Sequence, residues 1–382
     1  FGSRISSSNL LCCRKVYVIE AFNMAALDRL RFGVLSTASI CAKVIPALQE
    51  AGEVVCVGEE FGRGLLGAVD LAANFDIPHA YGSYMEVIQD PRVQAVYIPL
   101  PTGLKSKWVK AAAQHKKHVL CEKPLPSIAV LDEMLEVCDA NGVVWMDGTM
   151  WLHSKRTPQI LEEVQKIDVM RIDAGFTHAM DITGNIRENP ELEPLGMLGD
   201  CGWYPISASL AVMDWKMPSE IHVHQSQVEK GVFKSVAGVL KWDNGVISTF
   251  ACGCGMSHRS YLTASGQTGA VYVEDLVGGQ GKDMKFDTYF EPFVGGRQFR
   301  VNNVEGAETI MNATECNHTV EMAKTFVELV RNGDLQCWPQ RSRSIQCVLD
   351  GIAAVIRCKA YAAVLRSSST GSWQIIGAAG GA

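Results

Sequence analysis

The stretch HVLCEKPLPS, residues 118–127, runs an apolar, strand-like segment straight into Glu122, Lys123 and Pro124. A core strand that ends in an acid, a base and an imide is unusual, and its surroundings decide the fold. Upstream and downstream of it, RFGVL (31–35), EVVCV (53–57), VQAVYIPL (93–100), KHVLCE (117–122) and GVVWMD (142–147) read as strands. Segments 40–51, 65–75, 83–89, 104–115 and 127–141 between them carry helical spacing. This alternation predicts βαβ units with right-handed crossovers, hence an α/β, doubly wound parallel sheet. HVLCEKP is then its next-to-last strand, and sheets of this kind bind ligands at the carboxyl ends of their strands.

Past residue 150 the rhythm changes. Longer runs at 169–180, 220–230, 233–242, 245–254, 260–266 and 269–278 alternate in period two and are joined by turns such as Asp243-Asn244-Gly245 and Gln267-Thr268-Gly269. They predict an open, mostly antiparallel sheet, covered on one face by helices at 155–166, 204–213, 318–333 and 341–366. The expected division is a leader at 1–29, disordered, a first domain at 30–150, an α+β domain at 151–366 and a flexible tail at 367–382. Within the leader, Met24 opens MAALDRLRFGVL and reads as a natural start; organellar targeting by the preceding residues stays open.

A chain of 382 residues is long for one core and suits two. Hydrophobic residues at 47% and charged residues at 20% match an ordinary globular protein. The net charge of -6 without a long basic run points away from nucleic acid and anionic membranes, toward a small-molecule partner. Thirteen scattered cysteines, none spaced C-x-x-C, argue against a zinc site and for reduced thiols in a cytoplasmic setting. No run of 18 apolar residues predicts a membrane span.

The turn after the first strand, GVLSTASICA (33–42), sets Gly33, Ser36 and Ala38 where a glycine-rich nucleotide loop places its small residues. Small residues let a pyrophosphate approach the backbone of Ser36, Thr37, Ala38, Ser39 and Ile40, and the following helix offers its N-terminal amides. An ordinary strand-to-helix turn is the equal alternative. Glu59 and Glu60 after the second strand suit the ribose hydroxyls of NAD, whereas Arg63 suits the 2′-phosphate of NADP; a solvated charged loop is the plain alternative. Lys123 at its strand end can hold a ribose hydroxyl and stabilise an alkoxide, and Lys123-Pro124 is a candidate cis bond.

GVLSTASI (33–40), VYIPLPTGLKSKW (96–108), KHVLCEKPL (117–125), MDGTMWLHSKRT (146–157) and LGDCGWYPIS (198–207), in this order, resemble the glucose–fructose oxidoreductase / inositol dehydrogenase / MocA family. Within it they are most similar to the branch of dimeric dihydrodiol dehydrogenases, NADP-dependent D-xylose dehydrogenases and plant oxidoreductases of uncharacterised role. The likeness runs from about residue 30 to about 365. It implies a Rossmann domain at 30–150, then a substrate-binding and dimerisation domain, NADP or NAD as cofactor, and hydride exchange with a sugar-like or diol hydroxyl. It implies Lys123 and Tyr204 as the catalytic pair with Asp200 in support. It further implies cofactor contacts from Gly33, residues 36–40, Glu59, Arg63, Leu100, Pro101, Thr102, Glu122 and Lys123, substrate contacts from Trp151, Arg156 and Tyr204, no metal, and a homodimer.

Physically the pair is coherent. A tyrosine titrating near ~10 needs a neighbouring cation to act as a base at neutral pH, and Lys123 is expected to lower it. Pro205 rules out a helix through both Asp200 and Tyr204, so 200–204 is expected to turn and Pro205 to open the helix. Three departures stand out: Lys105 where the family suggests histidine, Ser36 and Ala38 in place of loop glycines, and LHSKRT (152–157), which keeps Arg156. Two other readings remain: a nucleotide-binding sensor without turnover, and NAD-assisted elimination or glycoside cleavage.

Overall fold

The computed structural model describes residues 29–277, 298–313, 316–333, 337–360, 362–367 and 371–376, so all of the expected leader but Arg29 lies outside them. The first half alternates strand and helix: β1 (Arg31–Leu35), α1 (Cys41–Ala51), β2 (Glu53–Gly58), α2 (Gly64–Asn74), β3 (His79–Tyr81), α3 (Tyr84–Gln89), β4 (Ala95–Ile98), α4 (Thr102–Gln114), β5 (His118–Cys121), α5 (Ile128–Ala140) and β6 (Trp145–Asp147). The six strands form one parallel sheet in the order β3-β2-β1-β4-β5-β6. β4 is buried along its whole length, as a strand covered by helices on both faces must be, which is why it reads as an unbroken apolar run. Two serines punctuate the helices: Ser83 and Ser127 accept from the backbone N–H of Glu86 and Val130 and cap α3 and α5.

The second half begins with a 3₁₀ turn (Met150–His153) and α6 (Arg156–Gln165), followed by β7 (Val169–His178). A second 3₁₀ turn (Ile186–Glu188) leads to α7 (Gly196–Asp200) and α8 (Trp203–Val212). Next come β8 (Glu220–Glu229), β9 (Val232–Lys241), β10 (Ile247–Cys254), β11 (Arg259–Gly266), β12 (Gly269–Val273), β13 (Gln298–Asn303) and β14 (Glu308–Asn312). The chain closes with α9 (His318–Asn332), α10 (Trp338–Arg357), β15 (Ala362–Ser367) and β16 (Ser372–Ile376). These ten strands form a second sheet in the order β14-β13-β12-β11-β7-β10-β9-β8-β15-β16, antiparallel except for β7 beside β10.

Three expectations need correction. The helix foreseen at 341–366 ends at Arg357, and the foreseen loose tail contains β16. β15 pairs with β8 and β16 with β15, while Trp373 Nε1 donates to the Cys347 carbonyl at 2.9 Å, pinning the hairpin on α10. β8 lies far from β15 in sequence, and the Ser- and Gly-rich composition around the β15–β16 hairpin gave no local sign of a strand. Lastly, α9 does not cover the second sheet: its Phe326 ring lies 6.0 Å from Phe32 of β1, so the helix packs beside the nucleotide-type sheet. α8 does cover the second sheet, with Ser209 and Ser248 hydroxyls 2.8 Å apart beneath it.

Candidate active site

β5 ends at Cys121, so Glu122 and Lys123 emerge at the carboxyl edge of the parallel sheet, and the Lys123–Pro124 peptide is cis. From the other half, α7 ends at Asp200 and α8 starts at Trp203. Pro205 therefore falls in the first turn of α8, where its missing N–H costs nothing, and Tyr204 is fixed beside it. The two halves meet side chain to side chain. Lys123 Nζ donates to Asp200 Oδ1 at 2.7 Å and to the Asp200 carbonyl at 3.3 Å, and lies 4.9 Å from the centre of the Tyr204 ring. Arg187 Nε donates to the other carboxylate oxygen, Asp200 Oδ2, at 2.7 Å.

Burial disfavours every charge here, yet the Asp200 carboxyl is held far below the usual carboxylate range because Lys123 and Arg187 flank it. Lys123 is likewise pushed above its ordinary value: burial opposes the charge, but Asp200 and Tyr204 outweigh it. Tyr204 departs from expectation. Burial pushes its hydroxyl up to about 12, and the neighbouring Lys123 only moderates that rise. The phenol is thus protonated at neutral pH, not poised as a base. Its hydroxyl lies 3.8 Å from Met150 Sδ, and its ring 4.9 Å from that of Phe176.

The nucleotide-type loop spans 36–40 between β1 and α1, which begins without a side-chain cap at Ile40. Ser36 has φ 147°, in the region that favours glycine, so it occupies a glycine conformation as a serine; its Oγ accepts from Ala38 N at 3.0 Å. Gly33 lies inside β1, and a Cβ there would meet Val87 at 2.4 Å, so this glycine admits α3. Glu59 is 6% exposed and turned inward. Its carboxylate accepts from Thr37 N (2.8 Å), Thr37 Oγ1 (2.7 Å), Phe61 N (2.8 Å) and Tyr84 Oη (2.9 Å), which ties the loop to β2. Arg63, just before α2, has a side chain 68% exposed and paired with Asp70 at 2.5 Å.

Leu100 and Thr102 are buried at the start of α4, where Thr102 N and Oγ1 donate to the Glu193 carboxylate at 3.1 and 2.6 Å, with Pro101 partly exposed before them. Glu122 accepts from Tyr97 Oη at 2.9 Å, and burial raises its carboxyl. Trp151 Nε1 donates to Ser207 Oγ at 3.0 Å, and Arg156 Nη2 donates to the carbonyls of Asp275 and Leu276; both side chains are engaged in holding elements together. Conversely, Arg187, Phe176, His178 and His258 gather near Tyr204 without having been foreseen. The Phe176 ring lies 5.0 Å from His178 and 5.8 Å from His258, and burial lowers His178 to about 4, keeping it neutral. Phe176 and His178 lie toward the end of β7, His258 just before β11 and Arg187 in the second 3₁₀ turn, positions that share no sequence spacing.

A parallel nucleotide-type sheet, a small-residue loop at a helix start and a lysine–carboxylate–tyrosine set thus meet at the sheet's carboxyl edge. Residues 30–149 match the family model GFO_IDH_MocA, the oxidoreductase family with an NAD-binding Rossmann fold. D-xylose 1-dehydrogenase (NADP(+)) 2 of Haloferax volcanii is 35% identical over 222 residues, 56% of this chain and 66% of that protein. The chain thus spans just under two thirds of that relative. Trans-1,2-dihydrobenzene-1,2-diol dehydrogenase of Mus musculus is 28% identical over 310 residues, covering 76% of this chain and 87% of that one. The same fold appears in an aldose–aldose oxidoreductase from Caulobacter crescentus complexed with glycerol, at TM-score 0.76, 17% identity and coverage of 88% and 100%. It appears again in a 3-ketoreductase from Actinomadura kijaniata with NADP and TDP-benzene, at TM-score 0.75, 19% identity and coverage of 86% and 98%.

Proposed function

We propose that the chain interconverts a carbonyl and a hydroxyl on a small sugar-like or diol substrate with NADP, and that Tyr204 handles the proton. The observation that carries this reading is the joining of Lys123, Asp200 and Tyr204 across the two halves within hydrogen-bond and ring-contact distance. The loop residues 36–40 fit a pyrophosphate: Ser36 already holds a glycine-like backbone, and α1 begins uncapped above it. When bound, the nicotinamide supplies or accepts the hydride. Lys123 holds its positive charge through Asp200, and Arg187 keeps that carboxylate oriented.

Because burial raises Tyr204 to about 12, its hydroxyl is a proton donor at neutral pH. It protonates the oxygen of a carbonyl being reduced, while Lys123 stabilises the negative charge developing there. Oxidation of the hydroxyl needs the phenolate and rises with pH. Phe176 offers an apolar wall, and the neutral His178 offers hydrogen bonding to a hydroxylated ring. NADP is favoured over NAD because the Glu59 carboxylate is committed to the loop, whereas Arg63 is exposed beside it, and a 2′-phosphate pairs with a guanidinium.

The test is turnover of NADPH and NADH against a panel of aldoses, ketoses and diols in both directions. Reduction with NADPH at neutral pH and oxidation that climbs toward alkaline pH are the expected pattern. Tyr204→Phe should lose about 10² to 10⁴ in kcat with NADPH affinity intact, and Arg63→Ala should weaken NADPH binding without touching NADH. Cofactor binding that is unaltered by Tyr204→Phe, with no turnover in either protein, would mark a sensor and remove the reading.

A further inference from the structure

Lys105 stands in the first turn of α4 and is 1% exposed, a lysine sealed in the protein. Its ammonium donates to the Pro124 carbonyl at 2.6 Å and to Thr102 Oγ1 at 3.4 Å. Among the described residues no carboxylate pairs with it directly. Burying an ammonium against two neutral acceptors is costly, and hydrocarbon of similar shape would pack there at lower cost. A residue retained on such terms calls for a role that its hydrogen bonds perform.

The shorter of those bonds ends on backbone beside Lys123, the longer on the Thr102 hydroxyl. Pro124 directly follows Lys123, so the carbonyl that Lys105 grips belongs to the turn that presents the Lys123 ammonium to Asp200 Oδ1 and the Tyr204 ring. Thr102 in turn is clasped by Glu193, and Gly103 N donates to the Leu192 carbonyl at 2.8 Å. That approach is tight: a Cβ on Gly103 would stand 2.0 Å from the Glu191 carbonyl oxygen. The start of α4, the 122–125 turn and the 191–193 segment thus form one hydrogen-bonded unit, with Lys105 at its centre.

We propose that Lys105 is a positioning residue for Lys123: by holding the Pro124 carbonyl it fixes the turn that sets the Lys123 ammonium between Asp200 and Tyr204. The proposal rests on the role given to Lys123 under Proposed function. Sealed from solvent, Lys105 acts on Lys123 through the Pro124 carbonyl, with Thr102 Oγ1 as its second anchor.

Two variants separate the bond from the charge. Lys105→Met keeps the aliphatic bulk and removes the donor; Lys105→Gln keeps an amide donor and removes the charge. Each is followed by hydrogen exchange of a peptide covering 118–127, by thermal melting, and by kcat and KM with NADPH. In Lys105→Met, exchange in that peptide should quicken about tenfold and kcat should fall roughly 10- to 100-fold, the usual cost of a lost orienting partner. KM for NADPH and the melting temperature should hold. Lys105→Gln should keep the slow exchange and most of kcat. Exchange at the parent rate in Lys105→Met, kcat at the parent value in it, or a Lys105→Gln protein as impaired as the methionine variant overturns the proposal. Should Lys105→Met not fold, fast exchange in Lys105→Gln overturns it. Exchange does not need turnover, so a parent protein inactive on every substrate removes the reading of Lys123 as catalytic while the positioning of its turn is still decided.

Discussion

Lys123 answers to three groups at once, and its energetics show which of them matters. Asp200 secures its charge, Tyr204 feels that charge, and Arg187 on the far side of Asp200 keeps the carboxylate from leaving. Lys123→Met keeps most of the aliphatic stem, and Asp200 retains Arg187, so folding should survive. Removing a positioned electrostatic group of this kind costs about 10² to 10³ in rate. The sign of the pH effect follows from Tyr204, which burial raises to about 12 against the pull of Lys123. Without that pull the phenol holds its proton still more firmly, so the alkaline rise of the oxidation rate moves to higher pH. Lys123→Arg should restore little, because a planar guanidinium cannot take the place of a compact ammonium. Rates at the parent level with an unshifted profile would contradict the scheme. Lys123 and Tyr204 were legible because each sits in a local pattern, a strand running into Glu-Lys-Pro and a proline that forces a helix to begin. Arg187 and His178 were not, since they converge from a loop and a strand end that share no spacing. Glu59 was readable as an acid after a strand, but its inward turn depends on Thr37, Phe61 and Tyr84 and is set by packing.

Among the elements, the readable strands were the unbroken apolar runs of the first sheet and the alternating runs of the second, and that alternation carries an assembly consequence. Along β10, Ser248, Phe250 and Cys252 are buried while Thr249 and Ala251 are half-buried; along β11, Leu262 and Ala264 are buried while Tyr261 and Thr263 are half-buried. Helices cover the first set. The second set lies on the opposite face, where Ala237, Ala251 and Gly175 stand side by side in register and Tyr261 lies against Gly175. Small residues in a row make that face flat enough to seat a second sheet. We therefore expect two copies to pair through it, giving a mass near twice 41.6 kDa in light scattering. Ala251→Arg, which places a charge at the centre of the flat row, should yield a folded monomer. A parent protein that scatters as a monomer at micromolar concentration removes this assembly. The strands missed in sequence, β3, β13, β14, β15 and β16, are three to six residues long and were hidden by brevity or by polar surroundings.

The molecule as a whole buries several histidines uncharged, and this sets its response to acid. Burial lowers His118, His178 and His318 to about 4 and His153 to about 3, each from an ordinary 6.5. In the unfolded chain these rings take up protons near 6.5, whereas the folded protein refuses them until much lower pH. Their stabilising contribution is thus complete above 6.5 and is lost progressively as pH falls from 6.5 toward 4. Each depressed histidine contributes on the order of 1–2 kcal/mol to that loss by pH 5. Asp200, held low by its two cations despite burial, and Asp90, lowered to about 2 by its bonds with Arg92, lose their contributions in the same direction but only in stronger acid. Glu122, Asp147 and Asp350, raised by burial, act in the opposite sense, since the folded state accepts their protons more readily than the unfolded chain does. The histidine window lies above that of Asp200 and Asp90 and is met before it, while the three raised carboxyls act from above the ordinary carboxylate range and offset part of the histidine loss. Urea unfolding at pH 7.5, 6.5, 5.5 and 5.0 should show a midpoint that holds between the first two and then falls, with the stability at pH 5.0 lower by at least ~2 kcal/mol. A midpoint that stays level down to pH 5.0, or rises, would mean that these rings are hydrated in the folded protein and that the interior between the two sheets is wetter than its packing indicates.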